Sequence, residues 1–522
     1  MSEAALQTEW AVGVSVKPQP ARETVDEGAQ RTPRLKPVDR RQMILRAVDV
    51  EQLIEEDHPA RAIWAFTGRM DWSRFTASIQ AVDGVAGRAA WDPRLLASLW
   101  IYAYSRGIGS ARELARRCGY DPGFQWLTGL QAVNYHTLAD FRVGYQRELD
   151  GLFAQTLGLL SAEGLITLER VMHDGTKIKA CAGADSFRRE ERIRSHLQAA
   201  REQVAAMGDP RAEPSARQRS ARQRAQRERT QRLEQALEEL DKIRGVKAGS
   251  EAKAQARVSQ SDPEARVMKQ GDGGFAPSYN AQISTDAAHG LIVGAGVTQC
   301  GSDYGELVGS VERVEQSTGQ KLKQVVVDGG FTSRENVVAL DEKGIEMIGS
   351  MAEHNEQSAG QLQRRGVTEA FYPQAFAYDA QQDVYRCPAG TLLRHDGQEK
   401  AAGIVHHLYR APAATCAACP FKSQCCPQNE SKGRRITRAV EAPVVEAFKA
   451  KMQTEAAKAI YRLRGPVAEF PNAWLKAKIG LRQFRVRGLL KVTMEVLWAC
   501  LTYNIQQWIR LSWRTQLQAA VV

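Results

Sequence analysis

Apolar positions recur at helical spacing through the first third of the chain and give way to short β-branched runs in the middle. Pro93 opens a stretch in which Leu95, Leu96, Trp100, Ile101 and Tyr104 share helical spacing, ending at Arg106-Gly107. Ser110 and Glu113 then predict a capping box for a short helix that ends near Gly119. Thr137 and Asp140 begin a longer predicted helix, with Phe141, Tyr145, Leu149, Phe153 and Leu157 on one stripe. Beyond it, residues 165–173 read as a β-branched strand that delivers Asp174-Gly175-Thr176 at its end, and 177–182 continue it. Residues 279–285 and 291–297 flank Asp286-Ala287-Ala288-His289-Gly290, which predicts a hairpin. Leu307, Val311 and Val314 mark a helix, 322–327 a buried strand ending at Asp328-Gly329-Gly330, 333–343 a helix, and 345–351 a further strand.

In order, these elements run strand, strand, strand, helix, strand, helix, strand. The class is α/β: the order matches an RNase H-like mixed sheet core, accompanied by an α-helical N-terminal domain, a helical insertion and a Cys-rich insertion. The expected boundaries are 1–40 for a mobile leader, 41–163 for a helical DNA-binding module and 164–184 for the first part of the core. A basic helical insertion fills 185–258, the core resumes over 259–351, and the Cys-rich insertion spans 352–440. A helical end over 441–522 completes the core. Within the first insertion, residues 188–244 carry 15 Lys+Arg against 10 Asp+Glu, and Leu233, Leu237 and Leu240 give a short heptad-like seam. An antiparallel helical hairpin turning at Pro210 and Pro214 is the expectation. Its arginines near 211–232 read either as a track for a DNA backbone or as a solvated helix face.

The chain has 522 residues, 71 Lys+Arg and 60 Asp+Glu, and 71 − 60 gives +11. Apolar residues at 43% and charged ones at 25% exclude a mostly disordered chain. No apolar run approaches the ~18 residues of a membrane span and the N-terminus shows no signal-peptide core, so a cytoplasmic protein with no membrane partner is expected. The cation surplus points toward a polyanion, though it is mild for this length. Nine cysteines are an odd count, and five of them, Cys387, Cys416, Cys419, Cys425 and Cys426, crowd into one segment. Reduced thiols around a metal fit this better than a disulfide framework. Cys387, Cys416, Cys419 and Cys425, with Cys426 as an alternative, suit a structural Zn²⁺; unligated thiols are the plainer reading.

Acidic residues at the ends of two strands can project into one site. Asp174 and Asp328 are so placed, each followed by Gly, which permits close approach. Paired carboxylates of this kind hold divalent ions for phosphodiester chemistry, and Mg²⁺ suits an all-oxygen donor set. Either Asp-Gly alone is more simply a turn. At helical spacing 461, 465, 469, 472 and 476 share a face, so Tyr461, Glu469 and Lys476 could meet a scissile phosphate together. Glu469 would complete the metal set, with Arg464 and Lys476 on phosphate oxygens; the plainer alternative is a solvated amphipathic helix.

Together, Val-Met-His-Asp174-Gly-Thr-Lys-Ile-Lys, Val-Val-Val-Asp328-Gly-Gly-Phe and the Tyr461…Arg464…Glu469…Lys476 block resemble the DDE transposases of bacterial insertion sequences. The likeness extends to Trp100-Ile-Tyr-Ala-Tyr-Ser-Arg-Gly and Ser110-Ala-Arg-Glu-Leu in the N-terminal module. It continues through Arg482-Gln-Phe-Arg-Val-Arg-Gly488 and Trp498-Ala-Cys-Leu-Thr-Tyr-Asn504, covering about residues 41–510. The resemblance implies an RNase H-like core using Mg²⁺, with Mn²⁺ substituting. It implies cleavage at terminal inverted repeats, attack of the freed 3′-hydroxyl on target DNA, and a homo-oligomer on double-stranded DNA in the bacterial nucleoid. Asp174, Asp328 and Glu469 then become the catalytic, metal-binding triad, and Tyr461, Arg464, Lys476, Arg485 and Arg487 the DNA contacts. Arg464-x4-Glu469 is one residue longer than the family's usual spacing, Pro466 and Pro471 interrupt the helix, and Glu455 and Glu495 are the nearest rivals of Glu469. Outside the active enzyme, the readings are a domesticated or inactive copy that only binds DNA, and an RNase H-like nuclease without strand transfer.

Overall fold

The N-terminal helices start where the sequence supplies caps. In the computed structural model, α1 (Pro59–Thr67) follows His58, whose ring accepts from the Ala60 N–H, and α2 (Pro93–Ser105) follows Asp92, which accepts from the Arg94 N–H. Ser110 accepts from the Glu113 N–H at the start of α3 (Ala111–Arg117), and α4 (Pro122–Thr128) begins at Asp121. The structure describes Met43 and residues 47–82, 84, 88–206, 216–351, 360–401, 404–427, 432–440 and 442–521. The chain divides into Met1–Val48 and Asp49–Val522. The expected leader over 1–40 and the turn at Pro210 and Pro214 lie outside the described residues.

One expected helix is two. The segment from Thr137 forms α5 (Tyr135–Gly144), capped by Asn134, and α6 (Gln146–Ala162), with Tyr145 between them at φ −127°, ψ 60°. The Tyr145 ring is held 5.3 Å from Phe75 and 5.4 Å from Phe141, so aromatic packing fixes the break that periodicity ran through.

The first strand also differs from expectation. β1 runs Val171–Lys179 without interruption, so Asp174 is its fourth residue rather than the residue after its end. Beyond an insertion come β2 (Arg266–Lys269), β3 (Phe275–Asp286) and β4 (Ile292–Thr298). Helix α9 (Leu307–Thr318), β5 (Gln324–Val327), α10 (Arg334–Glu342) and β6 (Glu346–Gly349) follow. β3 pairs antiparallel with β1 from Val171↔Asp286 to Lys179↔Ser278, and β2 and β4 share its other edge. β5 lies parallel to β1, with Val171↔Val325 and Met172↔Val326, and β6 lies parallel to β5. The five strands β1, β3, β4, β5 and β6 therefore stand in the spatial order β4-β3-β1-β5-β6, the RNase H-like order. The parallel pairing of β1 with β5 stops after two residues while its antiparallel pairing with β3 continues, which splays the strands apart beside Asp174.

The helical insertion is a hairpin of α7 (Glu190–Ala206) and α8 (Ala216–Val246), sealed by Ile193, Leu197 and Ala200 against Leu233, Ala236 and Leu240. The buried Glu239 of α8 ties it to the sheet through an ion pair with Arg266 of β2. The Cys-rich insertion contains a second sheet, which the sequence reading did not foresee. Its strands β7 (Ala377–Asp379), β8 (Val384–Arg386), β9 (Leu392–Ala401), β10 (Ile404–Arg410) and β11 (Arg435–Val440) form an antiparallel meander.

After α11 (Pro443–Met452) and α12 (Glu455–Arg462), α13 (Phe470–Ala477) leads to α14 (Leu489–Trp508). Helix α14 is apolar almost all round because it is covered on all sides: it packs on β4 and against α2 and α6. Its few polar groups are matched. Asn504 accepts from the Ile292 N–H at 2.8 Å and donates to the Ile292 carbonyl at 2.7 Å, and Trp498 donates to the Arg142 carbonyl at 3.1 Å. Among the described residues no helix is long and apolar enough to cross a membrane.

Asn504→Ala strips both partners from buried backbone groups of β4, so stability should fall by about 2–4 kcal/mol. Urea titration of the purified protein checks this, and a loss under about 0.5 kcal/mol would contradict the role given to Asn504.

Candidate active site

Side chains alternate across β1, and that alternation builds the site. Val171 faces the main core, whereas Met172 faces the opposite side with Val326 of β5, Ile348 of β6, and Ala457 and Ala468 of the C-terminal helices. Two residues beyond Met172 and Val326 stand Asp174 and Asp328. Register and alternation therefore carry both carboxylates to the same face, level with each other, where β1 and β5 part.

Asp174 is partly buried, and burial pushes its carboxyl up to about 6; the neighbouring Asp328 charge acts in the same direction, while Arg464 and the Asn472 amide oppose it. Asn472 Nδ2 donates to Asp174 Oδ2 at 3.0 Å, and the Gly175 N–H donates to Oδ1 at 3.0 Å. Asp328 is held by the Gly330 N–H, which donates to its Oδ1 at 2.8 Å. Asn472 Oδ1 is buried without a hydrogen-bond partner beside this pair, an acceptor with nothing yet to accept.

The helix over the carboxylates accommodates the long Arg464-x4-Glu469 spacing by widening. Residues Gly465–Glu469 form a π-helical turn between α12 and α13. A π turn admits one more residue than an α turn, which stacks Arg464 and Glu469 five positions apart. Arg464 Nη2 lies 3.3 Å from Glu469 Oε1. The same widening relieves the clash that Pro471 would make with the carbonyl four residues before it. Glu469 ends the π turn, and Asn472 and Lys476 follow at intervals of three and four on the side of α13 that meets Asp174. Lys476 is half-buried; burial pulls its ammonium down, and the Asp174 charge pulls it back up.

The expected site residues thus fall into three groups. Asp174, Asp328, Arg464 and Lys476 come together, with Glu469 on the same helix face but 63% exposed and paired with Arg464. Tyr461 packs beside Met172, Val326 and Ile348 and lines an adjoining cavity of about 350 Å³ with Lys458 and Arg462. Arg485 and Arg487 make their contacts elsewhere: the Arg485 N–H donates to Glu495 Oε2 at 3.0 Å and Arg487 Nε to the Cys181 carbonyl at 3.0 Å. Both rivals of Glu469 are engaged away from the carboxylates. Glu495 is 1% exposed and faces Arg142 at 3.9 Å, and Glu455 pairs with Lys458 in the first turn of α12. Among the described residues no three His, Cys, Asp or Glu side chains are gathered closely enough to enclose an ion.

Two contributors escaped the sequence reading. Asn472 stood on the expected face but drew no role. Asp303 lies behind β1, where Asn280 and Gln282 of β3 donate to its Oδ1 at 2.6 and 3.0 Å. A Cβ on Gly175 would stand 2.5 Å from that oxygen, and one on Gly330 3.9 Å from the Asp303 Cβ. The glycine after Asp174 therefore serves the close approach of this brace. Nothing local marks Asp303, because its partners lie more than twenty residues away. His173, also on the rear face, is buried between Ser284 and Gln282 at 2.9 Å each, and burial lowers its imidazole to about 4, so it stays neutral.

Two family models match the chain. Residues 386–509 match one described as a Transposase DDE domain, and residues 48–143 match one described as Transposase domain (DUF772). The first match contains Glu469, Lys476 and the whole of α14; the second covers α1 to α4 and most of α5. No curated protein matches the chain. The two matches fit an insertion-sequence DDE transposase, the family that the motifs resemble.

Because Asp174 titrates higher in the fold than in the unfolded chain, its protonated form is favoured by folding. The metal-free fold therefore loses stability as pH rises from about 4 through about 6. Asp174→Asn should remove that loss, leaving the variant roughly 1–3 kcal/mol more stable than wild type at pH 7.5 and nearly equal at pH 4. Denaturation in chelator at both pH values tests this; a gap that does not change with pH would refute the electrostatic account.

Proposed function

We propose that the protein is a transposase that binds the ends of an insertion sequence and carries out metal-dependent DNA cleavage and strand transfer at the Asp174–Asp328 face. The observation that carries this reading is the pair of carboxylates held level at the parting of β1 and β5, beneath a helix that brings Asn472 and Lys476 to Asp174. The residues fit divalent ions: two close carboxylates in a desolvated setting, one with its pKa raised by burial and by the other's charge, and an orphaned buried amide oxygen alongside. Asp174, Asp328 and Glu469 would hold the metal. When bound, Mg²⁺, with Mn²⁺ as a substitute, supplies activation of the attacking oxygen and charge neutralisation at the leaving one.

The chain's own groups complete the chemistry. Asn472 fixes the orientation of Asp174, so that its oxygens stay aimed at the shared face. Lys476, cationic and half-buried beside Asp174, offers a donor for a phosphate oxygen, and Arg464 moves from Glu469 to the same task once that carboxylate is engaged. Tyr461, Lys458 and Arg462 line the adjoining cavity along which a strand could run. Arg485 and Arg487, exposed at the other end of this segment, are assigned to DNA backbone farther from the cut. The helices α1 to α6 are assigned to recognition of the terminal inverted repeats. Joining two ends to one target calls for at least a dimer on the DNA.

Asp328→Ala should cut Mg²⁺-dependent cleavage of end-containing DNA by about three orders of magnitude or more while leaving end binding within about twofold. Cleavage and gel-shift assays on the same preparations test both halves. Retained cleavage overturns the site, and binding without cleavage by the wild-type chain would mark a copy that has kept DNA binding alone. Cut ends that are never joined to target would mark a nuclease instead.

A further inference from the structure

The second sheet has little to hold it. Its buried apolar core is Val367, Phe371, Phe376, Leu393, Tyr409, Ala411, Cys425 and Ile436, a small set for a five-stranded meander with a long connection between β10 and β11. Domains of this size usually need a covalent or metal staple.

Five cysteines from three separate segments line one cavity of about 20 Å³, room for a single atom-sized guest. Cys387 follows β8, Cys416 and Cys419 follow β10, and Cys425 and Cys426 precede β11. Two of the sulfurs already receive backbone donors: the Thr391 N–H points at Cys387 Sγ at 3.2 Å and the Arg434 N–H at Cys416 Sγ at 3.4 Å. N–H groups aimed at sulfur stabilise thiolates and orient them as ligands. The first arises from a tight knuckle over Cys387-Pro388-Ala389-Gly390, where Gly390 takes φ +85° and its N–H returns to the Cys387 carbonyl at 2.8 Å.

We propose that Cys387, Cys416, Cys419 and Cys425 bind one Zn²⁺ in a closed, non-catalytic site that staples the ends of β8, β10 and β11. Four sulfurs and no oxygen favour a soft tetrahedral ion, and the separation of this sheet's core from the carboxylate face gives the metal a structural part. The Arg434 guanidinium, beside the cluster, donates to the Cys425 and Phe371 carbonyls at 3.1 and 3.0 Å. The sulfurs as placed do not yet enclose an ion, so binding draws them inward across the cavity. Cys426 is left as the fifth thiol, and Cys300, exposed and outside the cavity, as a control.

The test is elemental analysis of the full-length protein purified from zinc-replete culture, with thiol titration before and after a strong chelator. One zinc per chain, and four additional thiols released on chelation, are expected. Cys419→Ser should lose the zinc, and Cys426→Ser and Cys300→Ser should retain it. Limited proteolysis after chelation should open residues 387–434 before the rest of the chain. Zinc at background in the wild-type protein with all accessible thiols reactive from the start, or a disulfide within the cluster, would overturn the proposal whatever the variants do. Retention of zinc by a folded Cys419→Ser would overturn the ligand set.

Discussion

Strand β1 is clamped on both faces, and the clamp differs on each. On one side Val171 joins the core that α14 organises; on the other Met172 meets Val326, Ile348 and residues of the π turn. With both faces buried, a one-residue slip would exchange His173 for Asp174 across the sheet, placing a carboxylate where the neutral His173 ring sits against Phe331, Ser284 and Gln282. The penalty for burying an unpaired charge fixes the register. That register in turn sets Asp174 level with Asp328. The level placement of the two carboxylates is thus a packing requirement.

Helix α14 supplies the other half of the constraint. It stands between the N-terminal helices and β4, and its buried polar groups tie both sides: Asn504 to Ile292, Trp498 to the Arg142 carbonyl, and Glu495 to Arg142. A buried pair such as Arg142–Glu495 adds little net stability but penalises wrong packings. Through these contacts α14, which lies in one matched segment, joins the helices of the other to β4.

At the carboxylate face Asp174 and Asp328 repel, Lys476 and Arg464 offset that repulsion, and Glu469 is occupied by Arg464. The π turn places Arg464 and Glu469 on one face despite the extra residue between them.

The sequence by itself determined the elements and the chemistry they carry. The cap at Ser110, the helix openings at Pro93 and near Ser333, the hairpin closing at Gly290 and the apolar run of α14 are local, so their physics is complete within a few residues. The order of strands and helices followed, and with it the α/β class. Asp174, Asp328 and the Glu469 helix were legible because each motif is short. Only the tertiary structure decided the break at Tyr145, the true start of β1, the meander around the cysteines and the parts of Asn472 and Asp303. Those features rest on partners distant in sequence: an aromatic ring from Phe75, a parallel strand 154 residues on, an amide facing Asp174 across 298 residues. Periodicity records which face of an element is apolar, but not what will be packed against it, and at this site the packing partner sets both the geometry and the charge.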